Sequence, residues 1–109
     1  MSKPARVYLV LVTCPTVRTA RTLAHAAVKS RLAACVNLVP KVESVFWWQG
    51  KVNQARETLL LLKTTGARFE SLRRWLCRRH PYDIPEILAL PIERAHQPYL
   101  RWVLESVGV

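Results

Sequence analysis

Residues 78 to 93 read RRHPYDIPEILALPIE and place His80, Tyr82, Asp83 and Glu86 within a few positions of one another, beside Arg78 and Arg79. An imidazole titrates near neutral pH and ligates metals, a phenol donates a hydrogen bond, and neighbouring carboxylates hold cations or move protons. The same stretch also reads as architecture. Pro81 excludes the helical conformation for the residue before it, so a helix arriving here must stop at His80. At that terminus the helix dipole favours a cationic imidazole. No nucleophile–base–orienter arrangement is visible, because Ser44, Ser71 and Cys35 have no assignable histidine partner. Catalysis is not expected.

The elements that must position these residues follow from hydrophobic periodicity. Residues 6 to 13, RVYLVLVT, form an almost uninterrupted apolar run, the mark of a strand buried on both faces. From Thr16 to about Leu32, small apolar residues recur at helical spacing with Arg18, Arg21, His25 and Lys29 between them. A long extended segment follows, in which Val36, Leu38, Val42, Phe46 and Trp48 share one parity and Pro40 marks a bulge or an edge. Val45 and Trp47 make the second face of its tip apolar too. One core cannot bury both faces, so Val45, Phe46 and Trp47 are expected at a subunit interface. Gln49-Gly50-Lys51 turns the chain into VNQARETLLLLKT, whose polar first half and leucine second half suit an exposed arm joined to a buried strand.

Phe69, Leu72 and Leu76 predict a second helix over 67–79, and EILALPIE a fourth strand. Pro98 and Gly108 bracket a C-terminal helix striped by Leu100, Val103, Leu104 and Val107. The order is strand, helix, strand, strand, helix, strand, with a helix appended. It predicts one α+β domain over residues 1–109: a ferredoxin-like βαββαβ sandwich with both main helices on one face of an antiparallel sheet.

Seventeen Lys and Arg against seven Asp and Glu give a net charge of +10. They are scattered, with one cluster at Arg73, Arg74, Arg78 and Arg79, the pattern of a solvated surface. A basic RNA-recognition-like domain, which shares this strand–helix order, is the competing reading. It requires stacking aromatics on the two central strands, where this chain has only Tyr8. Specific nucleic-acid binding is therefore not expected. Three cysteines with no CxxC and no zinc-finger spacing read as reduced core thiols rather than a disulfide framework or a zinc site. No apolar run is long enough to span a bilayer. Lys3 and Arg6 are not followed by a leader-like apolar region, so a soluble cytoplasmic protein without membrane contact is expected.

Five blocks carry a resemblance: RLAACVNLVP, WWQGKV, LLLLKT, HPYDIPEILALPIE and YLRW. In order and nearly from end to end, they are similar to the CutA family of divalent-cation-tolerance proteins. The resemblance implies a compact homotrimer in which long hairpin strands pair between subunits, an architecture shared with nitrogen-regulatory PII proteins, and a link to copper and other divalent cations. Copper ligands proposed for the family fall here on Val12 and on the pair Arg79-His80. His80, with Cys14 two residues beyond Val12, is thus the expected metal-binding remnant, weak for copper or another divalent cation. Lys41 stands where the family commonly has glycine. A polar pocket at the subunit boundary, formed by Trp48, Lys63, Tyr82 and Glu86 beside His80, is the expected site for a small anionic ligand or a weakly held metal.

Overall fold

The computed structural model describes residues 7–108. Lys3 and Arg6, used in the sequence reading, lie outside them. The order is β1 (Val7–Cys14), α1 (Val17–Lys29), β2 (Cys35–Trp48), β3 (Lys51–Thr65), α2 (Gly66–Arg79), β4 (Leu88–Pro91) and α3 (Gln97–Ser106). The four strands form one antiparallel sheet in the order β2-β3-β1-β4. This is the expected βαββαβ sandwich with its appended helix.

Alternation along the central strands sorts the sheet into two faces. Val10, Val12 and Cys14 of β1 and Leu60 and Leu62 of β3 are fully buried together with Ala20, Leu23 and Ala27 of α1 and Leu72 and Leu76 of α2. Both main helices therefore cover one face. Small residues in α1 let the helix sit close to the sheet, as its narrow alanine stripe required. Leu9, Leu11, Leu59 and Leu61 alternate onto the opposite face, where they stay half-buried. One end of that face is covered by α3, whose Val103 and Val107 pack with Val7 and Ala34. Two cations hold the carbonyl end of α3: Arg68 Nε donates to Val107 O at 2.8 Å and Arg31 to Ser106 O at 2.7 Å.

Local chemistry sets the helix ends. Thr16 caps α1 by accepting from Thr19 N–H at 3.1 Å, and Thr65 caps α2 by accepting from Arg68 N–H at 3.2 Å. The first helix stops at Lys29, short of the expected Leu32. Arg31 adopts φ 61° there, and the Leu32 and Arg31 N–H groups close back onto Ala27 O and Val28 O. That is a Schellman termination with arginine in the position glycine usually takes.

The β2–β3 hairpin turns on Gln49 and Gly50, both at positive φ (51° and 78°), a primed two-residue turn matched to the strand twist. Asn53 Nδ2 donates to Trp48 O and Lys51 O, both at 3.1 Å, and pins it. Pairing with β1 extends only from Thr65 to Thr58, so the first half of β3 projects as an arm, as its polar composition suggested.

Two expectations are corrected. Between Val39 and Val42 the register with β3 shifts by one residue, Pro40 and Lys41 standing opposite Thr58, with Lys41 at φ 62°. The bulge expected at Pro40 is present, and it reverses the alternation beyond it. Val36 and Leu38 pair with Leu62 and Leu60 on the helix side, whereas Val42, Phe46 and Trp48 pair with Glu57, Asn53 and Lys51 on the other. These five residues therefore do not share one face. The fourth strand is also shorter than EILALPIE, because only Leu88–Pro91 pair with β1; Ile87 and Ile92 flank it and pack into the two hydrophobic clusters.

Candidate functional site

α2 ends at His80, as Pro81 requires, and the imidazole then becomes a staple. His80 is 7% exposed. Its Nε2 lies 2.8 Å from Thr13 O at the end of β1, while Nδ1 accepts from Tyr82 N–H at 3.0 Å. An acceptor at Nδ1 puts the proton on Nε2, which donates to Thr13: the neutral tautomer, rather than the cation expected from the helix dipole. The two bonds fold the chain after α2 around the end of the sheet. The Tyr82 ring rests on His80, with centroids 4.8 Å apart, and its hydroxyl donates to Glu57 Oε2 of β3 at 2.8 Å.

That loop and the arm border an open cavity of about 810 Å³. Phe46 and Trp48 line it from β2, Glu57 from β3, and Tyr82, Asp83 and Glu86 from the loop. The bulge makes this possible, since without the reversal Phe46 and Trp48 would face away from Glu57. Burial, then the bond to Glu57 and its charge, push the Tyr82 phenol up to about 12. Burial and the neighbouring Glu57 also raise the Glu86 carboxyl.

Of the expected pocket, Trp48, Tyr82 and Glu86 come together, and His80 stands behind the wall through Thr13. Lys63 lies apart, six residues farther along β3, about 20 Å at the rise of a strand. Its ammonium donates to Asn37 Oδ1 and lies 3.7 Å from Cys35 Sγ. Tyr99, raised by burial and then by Cys35, belongs to that second cluster. With Lys63 absent, the lining holds carboxyl groups and neither Lys nor Arg, so a small anion would meet repulsion there. Of the expected interface residues, Val45 and Trp47 stand out at 68% and 74% exposed, and Val45 and Phe46 also line the cavity. Glu57 is absent from the residues expected at the site. Its signal was a lone acid at the junction of the polar and leucine halves of β3.

As placed, Cys14 and His80 do not fit a copper site. Cys14 is fully buried in the helix-side core, and burial, then Glu57, lift its thiol to about 11, which disfavours the thiolate a metal needs. His80 has both ring nitrogens engaged. Val12 is equally buried, and Arg79 stacks on Trp75 at 5.0 Å. Among the described residues no three His, Cys, Asp or Glu side chains converge as a metal cage.

Comparison with known proteins decides the family. The family model described as CutA1 divalent ion tolerance protein matches residues 8–106. The chain belongs to the CutA1 divalent ion tolerance protein family. It is 48% identical over 100 residues to the divalent-cation tolerance protein CutA of Thermus thermophilus, covering 92% of this chain and 97% of that one. Against Protein CutA of Homo sapiens it is 41% identical over 100 residues, which span 92% of this chain and 56% of the human protein. The fold agrees. The solved T. thermophilus CutA1 structure superposes with a TM-score of 0.90 at 47% identity, covering 92% and 97% of the two chains. CutA from Xylella fastidiosa gives 0.91 at 35%, covering 94% and 98%. The CutA1 family description carries metal tolerance and names no reaction.

Proposed function

We propose that this CutA1 family member serves divalent-cation tolerance without catalysis, as a homotrimer whose subunits meet through the sheet face opposite the helices and through the β2–β3 arm. The observation that carries this reading is the apolar surface left on that side of a lone subunit. Leu88 and Leu90 of β4 and Val39 of β2 are exposed there, next to half-buried Leu9, Leu11, Leu59 and Leu61, while Val45, Trp47 and Val52 stand exposed on the other face of the arm. Monomeric proteins rarely leave so continuous an apolar face to water. The arm adds a free strand edge, since Lys51–Glu57 lack a partner on the β1 side, and a second copy can supply that partner. The number three comes from the CutA resemblance. A metal ion, copper included, is a weakly held ligand of such an assembly. Leucines at the central positions of β1 and β3 give no platform for stacking bases, and RNA recognition gains nothing from this face.

A cytoplasmic location is part of the proposal. Three free cysteines, one of them the exposed Cys77, suit a reducing compartment. Among the described residues no helix is long and apolar enough to cross a membrane. The test of assembly is sedimentation velocity at micromolar concentration, where three chain masses are expected and a monomer overturns the reading. Replacing Trp47 and Trp48 together by Ser weakens assembly, each aromatic losing up to about 3 kcal/mol of burial.

A further inference from the structure

Scattered along the chain, the cations are gathered by the fold. α1 and α2 carry eight of the seventeen Lys and Arg but one of the seven Asp and Glu, so +7 of the net +10 lies in the helix layer. Six of the eight are exposed: Arg18, Arg21 and Lys29 on α1, and Arg74, Arg78 and Arg79 on α2. The bond from His80 to Thr13 O sets the end of α2 against the end of β1, from which the chain enters α1. Arg78 and Arg79 therefore share one end of the layer with Arg18 and Arg21. The assembly proposed above uses the opposite face of the sheet and the arm, and leaves this layer in solvent.

Helix chemistry does not account for these cations. Arg78 and Arg79 do suit the carbonyl end of α2, and Arg79 stacks on Trp75. Arg18 and Arg21 stand instead in the first turns of α1, where the dipole disfavours positive charge and no acid offsets it. Arg18 with Arg21, and Arg74 with Arg78, add like-charge repulsion at helical spacing. Glu70, the single acid, is held by Arg73 and lies 3.8 Å from Arg74. Among the described residues no carboxylate reaches ion-pair distance of the other five exposed cations. Such a surface lowers the stability of its own fold and is complementary to an anion from outside.

What accompanies the charge sets the class of partner. Seven of the eight cations are Arg, whose planar fork matches phosphate oxygens. Among the described residues Val28 is the one large apolar side chain exposed on either helix. A bilayer is given nothing to take in, and a protein interface has no apolar centre. Neither helix exposes an aromatic ring on which an unpaired base could stack. From Arg18 to Lys29 the stripe runs about 16 Å at the rise of a helix, a length over which a duplex presents about ten phosphate charges. We propose that the outer face of α1 and α2 binds the phosphate backbone of a nucleic-acid duplex without reading its sequence. Recognition of RNA bases on the sheet, set aside above, is a different mode on a different face. The proposal goes beyond the assembly reading and does not depend on it.

The test follows the fluorescence anisotropy of a labelled DNA duplex of roughly 20 base pairs with the full chain, at about 50 and 200 mM salt. Saturable binding is expected at the lower salt, falling at least about a hundredfold at the higher, as four or more neutralised phosphates require. A second duplex of unrelated sequence should bind equally. Arg18→Gln with Arg21→Gln is expected to weaken binding about tenfold and to lower the salt slope by about two. Both positions are exposed and the dipole conflict is relieved, so the Tm of this variant should not fall. Arg94→Glu with Arg101→Glu changes the net charge more, on exposed side chains outside the helix layer, and is expected to weaken binding less. No saturable binding at the lower salt, no loss with salt, a strong preference for one duplex, or a greater loss in the Arg94 and Arg101 variant overturns the proposal. So does equal affinity for polyglutamate, which makes the face a general anion surface, or tighter binding to phosphatidylglycerol vesicles, which makes it a membrane surface. Sedimentation of each variant reports assembly separately, so a change of oligomeric state is not mistaken for a lost phosphate contact.

Discussion

Replacing Tyr82 by Phe removes one oxygen and tests the linkage that holds the site together. The ring stays against His80, where the centroids are 4.8 Å apart, so apolar packing is kept. The hydrogen bond of 2.8 Å to Glu57 Oε2 is lost. Glu57 is 8% exposed and has no other side-chain donor among the described residues. A hydrogen bond to a charged group contributes about 1.5–3 kcal/mol, and the buried carboxylate left behind cannot regain all of it from water in the cavity. Tyr82→Phe is therefore expected to destabilise the fold by about 2 kcal/mol. Urea unfolding at a fixed chain concentration measures it, with Glu57→Gln and the double variant completing a cycle. Because the two side chains share one bond, the double variant should cost less than the two single changes together, by about 1–2 kcal/mol. A Tyr82→Phe cost below about 0.5 kcal/mol, or additive single variants, would refute the reasoning.

Lys41 sits in the bulge at φ 62°, exposed, in a conformation glycine adopts without steric cost. Lys41→Gly is expected to gain about 0.5–1 kcal/mol net of the glycine's greater unfolded-state entropy, a rise of roughly 3–6 °C in Tm. Lys41→Ala keeps the steric penalty and gives no such rise; an equal gain from alanine contradicts the strain account. The phenol of Tyr82 is raised from 10.0 to about 12, so its neutral form is the one the fold favours. Its contribution is complete below the unfolded value and is lost as pH climbs through the folded one. The stability gap between wild type and Tyr82→Phe should accordingly shrink between about pH 10 and 12, and a gap that widens there is the contrary result. His80→Ala breaks two hydrogen bonds of a buried ring and is expected to lower stability by about 2–3 kcal/mol while leaving copper affinity unchanged. Loss of the copper-to-ligand absorbance in that variant would reinstate His80 as a ligand.

The elements were legible wherever a local signal sufficed. Pro81 dictated the end of α2, Gly50 the hairpin, and the uninterrupted VYLVLV a central strand. The five quoted blocks were enough for the family. What could not be read was register. Period-two alternation assigns faces only while the ladder is unbroken, and one extra residue at Pro40-Lys41 moves Phe46 and Trp48 to the opposite side. Lys63 was grouped with Tyr82 and Glu86, yet β3 is long enough to carry Lys63 and Glu57 to separate ends of the sheet. The role of His80 was likewise hidden, because its partners are a carbonyl 67 positions earlier and an amide two positions later. Tyr82 and Glu86 were visible as chemistry, and Glu57 became so only when the loop closed over it.

The unpaired edge of the arm has a consequence during synthesis and refolding. On the proposed assembly, before subunits meet, Lys51–Glu57 offers open backbone donors and acceptors on its β1 side, beside Val45, Trp47 and Val52. Such an edge templates pairing with any extended chain, correct or not. Lys51 and Arg56 are the charges on the strand that oppose indiscriminate stacking, and the net charge of +10 keeps newly made chains apart over a Debye length at low salt. Assembly and aggregation thus compete for one edge. Raising salt weakens the repulsion that guards it, so refolding yield should fall as salt and chain concentration rise together, even where the finished assembly is stable.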